Sequence, residues 1–164
     1  MTITHPDPPT DEQVKALVAL LAASSDAIVA QAVAALDRSH EAHYEAAGPE
    51  VATARLAAMC QLVQTCLDTR DLVPMIDHAT LVANERFDAG FDIREVQRAF
   101  HVLEEAIWDR VIADTPADRL AQGLGMVGTV LGAGRDALAR TYVSRASQHH
   151  VASLDLSALF RGGR

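Results

Sequence analysis

A chain of 164 residues has the length of one domain and can bury a sizeable core. Apolar residues make up 49% of it but aromatic residues only 4%, and thirty positions are alanine, which suits closely packed helices and disfavours the aromatic, β-branched alternation of sandwiches and barrels. The formal charge of −8, from 22 acidic and 14 basic residues, repels phosphate and sets the chain against DNA, RNA and anionic membranes as partners.

The N-terminus, MTITHPDPPTDEQ, is polar and proline-rich and does not read as a secretory signal. Residues 1–10 are expected to form a disordered arm. Thr10 and Gln13 then have capping-box spacing, and Val14, Leu17, Val18 and Leu21 follow at helical intervals. Ser24 or Ser25 caps a second helix carrying Ile28, Val29, Ala32, Val33 and Leu36. The stretch from Ala16 to Leu36 is long enough to span a bilayer. Asp26 near its middle opposes insertion by about 3 kcal/mol, so two soluble helices are the expectation and no membrane segment.

Gly48-Pro49 opens a third helix with Val51, Leu56, Met59, Val63 and Leu67, and Pro74 lies in the first turn of a fourth. Gly90 suits a left-handed turn, and Asp92 with Glu95 caps the next helix. There Ile93, Val96, Phe100, Leu103, Ile107 and Val111 form a core-facing stripe. Thr115 as N-cap and Pro116 as first helical residue begin a last helix reaching about Gln148. The expectation is one all-α bundle of about six helices over residues 11–150, with a C-terminal tail at 151–164.

Cys60 and Cys66 lie six apart on one helix, on different sides and unable to pair, as suits a reducing cytoplasm. Gly123, Gly125 and Gly128 spell a dinucleotide-binding pattern, but no strand precedes them, so no nucleotide is expected. Ala121, Gly125, Gly128 and Gly132 share one helical face instead, a strip without side chains suited to a close crossing within the chain or across a dimer. His40 and His43 lack metal-site spacing, and adjacent His149 and His150 point apart, so no metal is expected. His78 and His101 lie on helices among apolar residues. They are the candidate ligand-binding residues of an alternative reading, a globin-like protein that binds haem or another apolar small molecule; the scarcity of aromatics counts against haem. Trp108 is expected to pack in or beside the core.

Ser24 and Ser25 punctuate helices and Glu104 and Glu105 face apart, so no catalytic group assembles and no enzyme is expected. In the tail, Leu154, Leu156, Leu159 and Phe160 either fold back or dock into a partner. Leu156, Leu159 and Phe160 are the residues through which docking would act.

Asn84 to Ile112, NERFDAGFDIREVQRAFHVLEEAIWDRVI, and Leu131 to Arg140, LGAGRDALAR, carry a family likeness within the span from Ile76 to Ala146. This region resembles the N-terminal domain of RsbRD-type proteins, co-antagonists of the RsbT kinase in bacterial stress signalling. The resemblance implies a globin-like bundle without haem, usually dimeric, serving as a sensory domain joined to an output domain. This sequence stops at Arg164 without one, which leaves a stand-alone module or an excised piece. The expected function is a cytoplasmic, homodimeric regulatory domain that binds a protein partner or small signal, with no cofactor and no catalysis.

Overall fold

The computed structural model describes residues 8–39 and 42–153, and their regular structure is entirely helical. Seven helices follow in order among the described residues: α1 (Asp11–Ala23), α2 (Ser25–Asp37), α3 (Ala42–Ala47), α4 (Pro49–Thr69), α5 (Val73–Asp88), α6 (Ile93–Asp114) and α7 (Ala117–Ser153). The expectation of about six helices misses α3, which at six residues is too short to show a hydrophobic period. Gly48 follows it with φ of +84°, a backbone state that glycine adopts at little cost.

Both capping boxes form. The Gln13 amide donates to Thr10 Oγ1 at 3.3 Å, and the Thr10 amide donates to Gln13 Oε1 at 2.8 Å. At α6 the Arg94 amide donates to Asp92 Oδ1 at 2.8 Å, and the Asp92 amide to Glu95 Oε2 at 3.1 Å. Three expected boundaries move. Ser24 makes no side-chain cap and marks a bend instead. Thr115 is the C-cap of α6 and Pro116 precedes α7, which starts at Ala117. The last helix runs past Gln148 to Ser153, so it takes in the first three residues assigned to the tail. Leu156, Leu159 and Phe160 lie outside the described residues, as does His40.

The apolar stretch from Ala16 to Leu36 resolves into two helices meeting at 64°. Leu17, Leu21, Ile28, Val29, Ala32 and Leu36 turn into the core, which accounts for its hydropathy. No single helix among the described residues is long and apolar enough to cross a membrane.

The register of the three C-terminal helices follows from side-chain neighbours. Phe100 of α6 meets α7 at Gly134 and Val111 meets it at Gly123, so α6 and α7 are antiparallel. Met75 also reaches Gly134 and Asp88 pairs with Arg145, so α5 runs parallel to α7. On the other side α2 packs on both α6 and α4, and α1 packs on α4. Leu21, Ile28, Leu56, Met75, Leu103, Ile107, Leu131 and Leu138 are fully buried between these layers. Each contributes about 1.5–3 kcal/mol relative to exposure.

The glycine strip is not the close crossing within the chain. A Cβ at Gly125, Gly128 or Gly132 would meet nothing within 4 Å. The tight contact lies on another face of α7, at Gly134, where a Cβ would sit 2.7 Å from Phe100 Cε1 and 3.0 Å from Met75 Cγ. Opposite effects are therefore expected in urea denaturation of dilute protein. Gly134→Val should destabilise by about 1–3 kcal/mol through overpacking, whereas Gly128→Ala should stabilise by up to about 1 kcal/mol through helix propensity. Equal effects at the two positions would contradict this assignment of the crossing.

Candidate functional site

Among the described residues an apolar cleft opens between α2 and α4, closed at one end by the α3 turn. The two helices run antiparallel there: Ser25 Oγ lies 3.7 Å from Cys60 Sγ at one end, while Asp37 and Pro49 share the other. The cleft holds about 770 Å³. Buried Val29, Leu36 and Ala52 form its floor, and Ala30, Ala34 and Ala57 its exposed walls. The walls are the physical reason for the cleft: alanine on facing outward positions leaves a trough that longer side chains would fill. Asp26, Asp37 and Glu45 stand around the opening. An apolar trough with an acidic rim suits an apolar group carrying positive charge.

Sequence reasoning did not find this cleft. The available signal was the recurrence of alanine at outward helical positions, Ala30 and Ala34 facing Ala57, a pattern that reads equally as helix propensity.

A second, polar groove of about 660 Å³ runs along α6 and α7, lined by Arg94, Glu95, Gln97, Arg98, His101 and Arg135. Its cations are engaged: Arg94 with Asp92, His101 with Glu105 at 3.2 Å and Arg135 with buried Glu104, while Arg98 also makes polar interactions. With Glu95 also in its wall, the groove offers no excess positive charge for an anion.

His78 and His101 do not form a shared site. His101 is half-exposed and held by Glu105 one turn on, contrary to the apolar setting expected of it. His78 is half-buried on α5 and is not among the residues lining the groove that His101 borders. Trp108 is 39% exposed and so stands at the core's edge, whereas Phe100 is buried. Glu104 and Glu105 face apart as expected, one towards Arg135 and one towards His101. His43 falls on α3 and His149 stacks edge-on against Phe87 with ring centres 5.6 Å apart. Among the described residues no cluster of three or more His, Cys, Asp or Glu could hold a metal ion.

Cys60 and Cys66 are both buried and unpaired. Gln64 Nε2 donates to Cys60 Sγ at 3.7 Å. Burial raises the Cys66 thiol above its ordinary value, partly opposed by a backbone hydrogen bond at Met75, which makes it a poor nucleophile. Compared with known proteins, the chain matches no protein family, no curated protein and no solved structure.

Burial lowers the His78 pKa below 6.5, with Glu85 opposing weakly. The folded state thus resists protonation that the unfolded chain accepts. The stability this gives is complete above 6.5 and is lost as pH falls through the lowered folded value. His78→Asn should therefore lose less thermal stability than the parent between about pH 7.5 and about pH 5.5. Parallel curves for the two proteins would remove His78 as the cause.

Proposed function

We propose that this chain is a globin-like regulatory domain of bacterial stress-response type. It binds a protein partner or small signal, works as a homodimer and performs no catalysis. The α2–α4 cleft carries this reading, because its apolar floor and acidic rim suit capture of a molecule or helix. The buried Cys66 thiol is a poor nucleophile, and buried Glu104 is already paired with Arg135.

The packing also gives occupancy of the cleft a route to the rest of the domain. Helix α2 forms one wall and packs with its other side on α6, where Gln31 Nε2 donates to Asp109 Oδ2 at 2.6 Å. Helix α6 in turn lies along α7. An occupant that binds better when α2 stands farther from α4 shifts the population towards that packing, and α6 feels the change directly. The occupant is apolar with at least one cationic group, which Asp26 and Asp37 face across the opening.

Ala30→Trp and Ala57→Trp fill the cleft from exposed wall positions and leave the core untouched. Both are expected to abolish a crosslink formed in cells from a photoreactive residue at position 53, while circular dichroism stays unchanged. A crosslink that persists in both variants excludes the cleft as the capture site. Titration with haem is expected to give no saturable Soret band, and a band lost on replacing His78 would overturn the reading in favour of haem binding.

A further inference from the structure

The α2–α4 cleft asks for two features in whatever fills it. Buried Val29, Leu36 and Ala52 make its floor apolar, and the charged residues lining it are Asp26, Asp37 and Glu45. No arginine or lysine among the described residues lines it. Asp26 and Asp37 are exposed, and neither has an ion-pair partner among the described residues. Asp37 and Glu45 stand at the end closed by α3, so negative charge gathers where the trough stops.

The chain itself carries a segment with the complementary chemistry. Residues 154–164, which lie outside the described residues, read LDLSALFRGGR. Leu156, Leu159 and Phe160 have the three- and four-residue spacing that sets side chains on one face of a helical turn. Arg161 and Arg164 follow at once, two cations against the single carboxylate of Asp155. An apolar cluster with a cationic flank is what an apolar trough with an acidic rim recognises.

We infer that this segment of the same chain occupies the α2–α4 cleft, with Leu159 and Phe160 on the apolar floor and Arg161 and Arg164 facing the carboxylates. The inference rests on the cleft reading above and adds its regulation: the segment holds the site until a tighter occupant displaces it. Leu159 and Phe160 stand six and seven residues beyond Ser153, a reach of about 20 Å in extended chain. That is about half the width expected of a fold of this size. A short tether keeps its segment at an effective concentration of about 1 mM. Even an intrinsic affinity of about 100 μM then fills the cleft in roughly nine chains of ten, and weakens any competitor about tenfold.

The test is binding of a fluorescein-labelled synthetic peptide, LDLSALFRGGR, to the purified full chain. In the parent the chain's own segment competes, so the peptide is expected to bind weakly. Leu159→Ser combined with Phe160→Ser should free the cleft and tighten peptide binding by about tenfold. Adding Ala57→Trp to that variant should abolish binding, and adding Asp37→Asn with Glu45→Gln should weaken it several-fold at low salt. Circular dichroism should stay unchanged in every variant. A photoreactive residue at position 53 of the dilute parent should link to residues 154–164 within one chain, leaving the mass of a monomer. Equal peptide affinity in the parent and in the Leu159→Ser, Phe160→Ser chain overturns the inference, as does a peptide that binds neither, or a link that joins two copies. If a crosslink formed in cells is then still abolished by Ala30→Trp and Ala57→Trp, the cleft reading stands and this inference alone falls. A cellular crosslink that persists in both variants removes the two together.

Discussion

The approach of α7 to α5 and α6 at Gly134 sets the geometry of the C-terminal half. One absent Cβ lets Phe100 and Met75 close over the helix, and the next residue, Arg135, reaches Glu104. Glu104 is only 6% exposed, so removing Arg135 alone would strand a buried charge, a costly change. Packing thus sets the distance between the helices, and the ion pair sets their register. Farther along, Tyr142 Oη donates to the Phe91 carbonyl at 3.3 Å and Arg145 stacks over Phe87, tying the Gly90 turn to α7. The outer face of α6 and α7 inherits its alignment from these contacts.

The distribution of charge divides the molecule in two. On the α6–α7 side, Arg94, Arg135 and His101 each have a carboxylate close by. Around the α2–α4 cleft, Asp26, Asp37 and Glu45 stand at the rim. The cleft's alanine walls and the glycine strip share one cause, small residues on outward helical positions.

Much of the helical plan was legible in the sequence because caps and hydrophobic period are local signals. Thr10 with Gln13 and Asp92 with Glu95 close the boxes their spacing implied, and the stripe from Val96 to Val111 faces the core. Short α3 was illegible, having too few residues for any period. The start of α7 was read one residue early because Thr115 and Pro116 satisfy the cap pattern yet serve the end of α6. The glycine face was recognised, but which glycine makes the crossing depends on where Phe100 and Met75 arrive from other helices. The cleft escaped notice for the same reason, since concavity is a relation between two helices and neither carries it alone.

The bend at Ser24 has a consequence for the chain during its synthesis. The apolar sides of α1 and α2 are buried only once α4 and α6 exist to cover them, and Asp109, which Gln31 meets, lies 78 residues later. At about 5–20 residues per second, roughly 4–16 s separate the appearance of those two residues. Throughout that interval the nascent chain presents to its surroundings a nearly continuous apolar segment long enough to resemble a bilayer anchor. Before the core exists, the polar Ser24, Ser25 and Asp26 near its middle are what raise the cost of inserting this segment into a bilayer.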